Sequence, residues 1–338
     1  MKAERLKSGA YRCRAYYRTA DGVRHAKSFT SRDKAEAIRL AKAFELAHIA
    51  PAVEAGSLGP LMRSYIAEKA PQLSPATVVS YENIERKIRA KAPLLYGQPA
   101  HSVTASDLQA LVNDLSAAGM SPKTLRNYSG FVSAVLQHNG IRPGKVTLPM
   151  KRHREITVPT EDDVRALLAV AKGTGVEVAI MLAAFAGLRR GEVCGLRRSD
   201  VDLGTGRVHG RCDVVMDNKG RWIAKPPKTK ASDRFVELPE KAVDLIRSSG
   251  KIFEGNPRQL DYAFGCALKR AGIPPFRFHD LRHFCASYMH SIGIPDAYIM
   301  QRCGWENDVV LKEVYRHTLA DQEQRFADRA NEAFSSFL

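Results

Sequence analysis

The sequence runs to 338 residues, enough for two or three domains, and its 44% hydrophobic and 26% charged content is that of an ordinary globular chain. No run approaches the roughly 20 apolar residues of a membrane span; the longest, Val176 to Ala186, is broken by Glu177 and predicts a buried helix. Fifty-two Lys and Arg against 36 Asp and Glu leave a net charge of +16, which points to a polyanionic partner. Nucleic acid leads, with RNA, DNA and an anionic membrane surface all admitted by charge alone.

The N-terminus, Met1-Lys2-Ala3-Glu4-Arg5, leads straight into polar sequence with no secretory signal, so a cytoplasmic location is expected. The six cysteines are scattered without a C-x-x-C pair or a zinc-like Cys/His cluster and read as reduced, mostly core thiols. Residues 1–50 hold twelve Lys and Arg against five Asp and Glu, a net +7 in a small module. Between Tyr11 and Arg18 the chain alternates: Tyr11, Cys13, Ala15 and Tyr17 share one strand face, and Arg12, Arg14, Tyr16 and Arg18 the other. Asp21-Gly22 predicts a hairpin turn and Val23 to Phe29 the returning strand. Thr30, with Asp33 three residues on, is expected to cap a helix over Ala35 to His48. The Arg/Tyr face suits a DNA groove; it is equally the composition of a solvated strand face.

Pro51 to Pro60 is a linker by composition. A helical segment over 57–140 follows, its helix starts marked by Ser74-Pro75, Thr104 with Asp107, and Ser121-Pro122. Lys123 stands at the last of these, where a helix N-terminus either holds a DNA phosphate or is simply well capped. A second linker, Asn139 to Pro159, carries the basic run Lys151-Arg152-His153-Arg154. The third segment, 157–338, opens on Thr160 and Asp163 as a helix start. Strands are predicted around the Asp217-Asn218-Lys219-Gly220 turn, and helices elsewhere. The expected fold class is mainly α with small β-sheets, a multidomain α+β chain with modules at 1–50, 57–140 and 157–338.

Five places in the third segment stand out: Gly187-Leu188-Arg189-Arg190-Gly191-Glu192, Pro227-Lys228-Thr229-Lys230, His279-Asp280-Leu281-Arg282-His283, Gly304-Trp305 and Tyr315-Arg316-His317. Gly187 suits the end of a helix and projects Arg189 beside the core; the three-residue spacing puts His279 and Arg282 on one helix face. In this order the residues resemble the catalytic set of the tyrosine recombinases, the phage-integrase family, with Arg189, Lys228, His279, Arg282, Trp305 and Tyr315 at the matching positions. Trp305 stands where the family more often has His, and Tyr315 follows it by ten positions, one more than the pattern leads one to expect. Segment two is similar to the family's helical core-binding domain, and segment one to the arm-binding domain of many integrases.

The resemblance implies that Tyr315 attacks a DNA phosphodiester, leaving a 3′-phosphotyrosyl bond and a free 5′ hydroxyl, with no metal, ATP or other cofactor. Two guanidiniums, Arg189 and Arg282, suit the charge gathering on the phosphoryl oxygens. Trp305 adds an N–H donor, His279 receives or shares the phenol proton, and Lys228, by family analogy, protonates the departing oxygen. Glu192 and His283 are expected to support this set. Double-stranded DNA, at core and arm sites, is the implied partner, bound by a homotetramer, with room for an excisionase and a DNA-bending host protein. A chromosome-dimer resolvase, a topoisomerase-like nickase and a non-catalytic DNA-binding protein on the same scaffold are the alternatives. In the tail, Phe326, Ala330, Phe334 and Leu338 form an apolar stripe that packs in cis or on a neighbouring protomer.

Overall fold

A computed structural model describes residues 3–6, 8–18, 24–48, 56–150, 158–227, 229–250, 252–309 and 311–312, with seven positions between 327 and 337. The chain is mainly helical with small antiparallel sheets and divides into two compact units, Met1–Arg152 and His153–Leu338.

The first unit begins with strands β1 (Ala3–Arg5), β2 (Tyr11–Arg18) and β3 (Arg24–Ser31), in that spatial order, followed by helix α1 (Lys34–His48). Cys13 and Ala15 are buried against Ala37 and Ala41, with the rings of Phe29 and Phe44 5.2 Å apart beside them. Small side chains on both surfaces let helix and sheet approach closely. β3 runs past Phe29, so Thr30 lies in the strand and does not cap the helix. Asp33 takes that role: its Oδ1 accepts from the Ala35 N–H at 2.9 Å, while Ser31 Oγ accepts from the Asp33 N–H at 3.2 Å. The Asp21-Gly22 turn lies outside the described residues.

Helices α2 (Leu58–Lys69), α3 (Pro75–Lys91), α4 (Pro93–Gly97), α5 (Ala105–Ala117) and α6 (Pro122–His138) follow, around a core that includes Leu58, Met62, Ile88, Leu125, Val132 and Leu136. Thr104 and Asp107 form a reciprocal capping box, and Ser121 Oγ accepts from the Thr124 N–H at 3.2 Å. Ser74 precedes its helix without a side-chain cap bond, leaving Pro75 to set the start. The segment after His138 is irregular, but it is no free linker as far as Met150. Ile141, Val146 and Leu148 pack on the helical core, and Gln109 bonds the Thr147 backbone at 2.8 and 3.1 Å.

In the second unit, α7 (Glu161–Ala171) starts on the Thr160/Asp163 capping box. Helix α8 (Glu177–Phe185) is buried from Val178 to Ala184, as an apolar circumference requires. After α9 (Arg190–Gly195) come β4 (Val201–Asp202), β5 (Arg207–Gly210), the hairpin β6 (Asp213–Met216) and β7 (Trp222–Lys225), and β8 (Arg234–Glu237). β4, β5 and β8 form one sheet in that order; the Asp217 turn closes the hairpin, with the Gly220 N–H donating to the Asp217 carbonyl at 3.1 Å. Helices α10 (Glu240–Ser249), α11 (Pro257–Ala271), α12 (Asp280–Ser291) and α13 (Asp296–Cys303) complete the described elements. Of the cysteines, all unbridged, Cys13, Cys285 and Cys303 are buried, while Cys266 is exposed and departs from the core reading. Among the described residues no helix is long and apolar enough to cross a membrane.

Candidate active site

The site is assembled from chain ends around one turn. α8 stops at Phe185, and Gly187 follows with φ of +60°, the left-handed conformation that favours glycine. A β-carbon there would also lie 2.9 Å from Cys303 Sγ. The turn buries Leu188 and aims the Gly187 carbonyl at two guanidiniums: Arg282 Nη1 donates to it at 2.6 Å and Arg234 Nη2 at 3.2 Å.

Arg189 sits at the start of α9. Its backbone N–H donates to Glu192 Oε2 at 2.8 Å, and its Nη1 to Glu192 Oε1 and to Ser232 Oγ, both at 2.7 Å. Nη2 reaches the Gly304 carbonyl, 115 residues away in sequence, at 3.1 Å. Glu192, 2% exposed, is also paired with Arg234, whose Nη2 lies 3.2 Å from Oε2. Burial opposes its ionisation most strongly, but Arg234 and Arg189 together outweigh that and hold the carboxyl below the usual range.

Arg282, in the first turn of α12, is fully buried. Burial pushes its guanidinium down to about 10, with Arg189 and Arg234 adding repulsion, so it stays charged at neutral pH. Its Nε and Nη2 have no hydrogen-bond partner among the described residues. The guanidinium carbon lies 5.2 Å from the Trp305 ring centroid. Trp305 is half-buried and follows Gly304, which has φ of +61°; a β-carbon on Gly304 would meet the Ala231 carbonyl at 2.7 Å and Arg234 Nη1 at 2.9 Å.

His279 immediately precedes α12, partly open to solvent, its ring edge-on to the buried His283 at 5.0 Å. Desolvation of the ring, then His283 and Arg282, hold it down at about 4, so the imidazole is neutral at physiological pH. The structure thus brings Arg189, Glu192, Arg282 and Trp305 together, with His279 about one helical turn before Arg282 and His283 directly after it. Lys228 and Tyr315 lie outside the described residues. So do Lys151 and Arg152. Just before the stretch that holds Tyr315, Leu311 is buried in the cluster that holds Cys285, Ile299 and Cys303.

Of the remaining positions expected to meet DNA, Arg14 and Tyr16 are exposed on the outer face of β2, and Lys123 is exposed in the first turn of α6. Arg12 shares the face but is not a free cation: its Nη2 is 2.9 Å from Glu4 Oε2 on β1, a strand the sequence reading did not include. Arg18 lies at the end of β2, with its side chain outside the described set.

Sequence reasoning missed Arg234. Along β8, Arg234 and Val236 are buried while Phe235 and Glu237 are exposed. A signal was present: in a strand the parity of Val236 places Arg234 on the inner face, and an arginine there requires partners.

Residues 157–322 match the phage integrase family. This segment of the chain belongs to that family. It is similar to a XerC-like tyrosine recombinase of Caldanaerobacter subterraneus subsp. tengcongensis, 24% identical over 82% of this chain and 83% of the relative. The fold of the chain is similar to that of the Tn1549 transposon integrase in complex with transposon right-end DNA, at 16% identity. That TM-score is 0.67, over 79% of this chain and 99% of the other. A lambda integrase tetramer bound to a Holliday junction is also similar, with a TM-score of 0.58 at 19% identity over 92% and 94% of the two chains.

Proposed function

We infer that this protein is a site-specific DNA recombinase, an integrase that cleaves and rejoins strands through a covalent bond between Tyr315 and a DNA 3′ phosphate. The observation that carries the reading is the convergence of Arg189, Arg282 and Trp305, from three separate segments of the chain, on one buried, cation-rich site. Arg189 and Arg234 pair with the Glu192 carboxylate and Arg282 lies close enough to feel all three, a local surplus of positive charge. Among the described residues Arg282 keeps two desolvated donors unmatched, at a cost of about 1–3 kcal/mol each. A phosphoryl oxygen satisfies them, and as its charge grows in the transition state those bonds strengthen.

In this reading Arg189 and Arg282 clamp the phosphoryl oxygens and Trp305 contributes its indole N–H. The neutral imidazole of His279 takes up the Tyr315 proton, Lys228 gives a proton to the leaving 5′ oxygen, and Glu192, with His283, holds the set in place. The phosphodiester is exchanged, not hydrolysed, so a second strand's 5′ hydroxyl reverses the step without ATP. Residues 1–50 bind arm sites through Arg14 and Tyr16, 57–140 and 157–338 close on the core site, and four protomers act together on a mobile element in the cytoplasm. An excisionase and a DNA-bending host protein set direction. The experiment is incubation with a nicked suicide substrate. A covalent adduct with the native protein and none with Tyr315→Phe supports the enzyme; equal DNA binding with no adduct from either contradicts it.

A further inference from the structure

We propose that Arg234 is a positioning residue that ties together the separate chain segments presenting the reactive groups, and keeps Glu192 ionised to hold Arg189. The proposal rests on the recombinase reading above for what those groups do. The geometry is independent of it.

The Arg234 side chain is 4% exposed and its fork is used in several directions at once. Nε donates to the Arg302 carbonyl at 2.7 Å, at the end of α13 just before Gly304 and Trp305. Nη1 donates at 3.1 Å to the carbonyl of Ser232, four residues after Lys228, and the Ser232 Oγ in turn accepts from Arg189 Nη1. Nη2 donates to the Gly187 carbonyl, which Arg282 shares, and to Glu192 Oε2, both at 3.2 Å. One planar group therefore spans the segments that carry Arg189, Lys228 and Trp305, and meets Arg282 at a common acceptor. A lysine ammonium, with three donors at one point, cannot span these acceptors. The glycine at 304 belongs to the same arrangement, since a side chain there would meet Arg234 Nη1 at 2.9 Å.

The second half concerns charge. Glu192 faces Arg189 and Arg234 in direct contact, with Arg282 and the Asp213 carboxyl further off. Burial is the largest influence on Glu192 and favours its neutral form; Arg234 is the largest opposing one. Without Arg234 the carboxyl rises, and on acidification Glu192 takes up a proton and loosens both the Arg189 guanidinium and the Arg189 N–H.

The test compares the native protein, Arg234→Lys and Arg234→Met in single-turnover adduct formation from pH 6 to 9, with DNA affinity and melting temperature measured alongside. The protection of the Arg189 amide against hydrogen exchange is followed over the same range, a readout that needs no cleavage. Arg234→Lys, which retains charge and loses the fork, is expected to react about ten- to hundredfold more slowly with the native pH profile and native DNA affinity. Arg234→Met is expected to be slower still, to gain a rate that climbs with pH, and to lose Arg189 amide protection as pH falls. The proposal is overturned if Arg234→Lys reacts at the native rate. It is equally overturned if rate, affinity and melting temperature decline in step, or if the Arg189 amide of Arg234→Met keeps native protection throughout. A native protein that forms no adduct refutes the recombinase reading instead, and amide exchange still decides the role of Arg234.

Discussion

Replacing Arg282 by lysine keeps a positive charge at the most deeply buried cation of the site and removes the planar fork. The native guanidinium uses Nη1 to bond the Gly187 carbonyl at 2.6 Å and leaves Nε and Nη2 for a substrate oxygen. A lysine ammonium satisfies Gly187 only by giving up that reach. Hydrogen bonds to charged groups are worth about 1.5–3 kcal/mol each, so the loss of two costs about 3–6 kcal/mol, or about 10²- to 10⁴-fold in rate. Because the charge on the oxygens is greatest in the transition state, the deficit belongs in the cleavage rate and not in binding. Single-turnover cleavage of a nicked suicide substrate at saturating protein measures the first, and a binding titration with the same DNA the second. Arg282→Lys cleaving within about threefold of the native rate, or losing affinity by as much as rate, would refute the reasoning.

Glu192→Gln leaves Arg189 and Arg234 without their shared counter-charge at a site 2% exposed; removing one partner of a buried pair costs about 3–5 kcal/mol, to be read by denaturant unfolding. Since the native carboxyl lies below its usual range, its stabilisation is present above that range and is lost on acidification, so the gap between native and variant should narrow as pH falls; a constant gap contradicts this. His279 is held at about 4, below its ordinary 6.5. Its contribution to stability is therefore complete above about pH 6.5 and declines as pH falls towards 4. The imidazole should remain neutral across pH 5.5–8 in an NMR titration, and a midpoint near 6.5 would contradict that. Cleavage in the presence of a chelator should equal that in magnesium, because guanidiniums supply the charge; loss of cleavage in chelator would assign that role to a metal.

What the sequence made legible was local. Thr104 with Asp107, and Thr160 with Asp163, mark their helix starts because a capping box is complete within four residues. The alternation over Tyr11 to Arg18 sorted Cys13 and Ala15 inward because a strand has only two faces. The gathering of Arg189, Arg282 and Trp305 was legible only through the family resemblance, since no local pattern links positions so far apart. What escaped depends on distant partners. β1 is three residues, Ala3 to Arg5, with no periodicity of their own; pairing with Tyr11 to Cys13 makes them a strand and brings Glu4 to Arg12. Arg234 is explained by acceptors at Gly187, Glu192 and Arg302, all distant from it in sequence.

The most direct measurement is the chemical identity of the protein–DNA link. After reaction with a suicide substrate, the adduct is digested with protease and nuclease and its nucleotide-bearing peptide is sequenced by mass spectrometry. A 3′ phosphate joined to the Tyr315 oxygen is the result expected; attachment at any other side chain, or cleavage that leaves no protein on the DNA, would contradict the account.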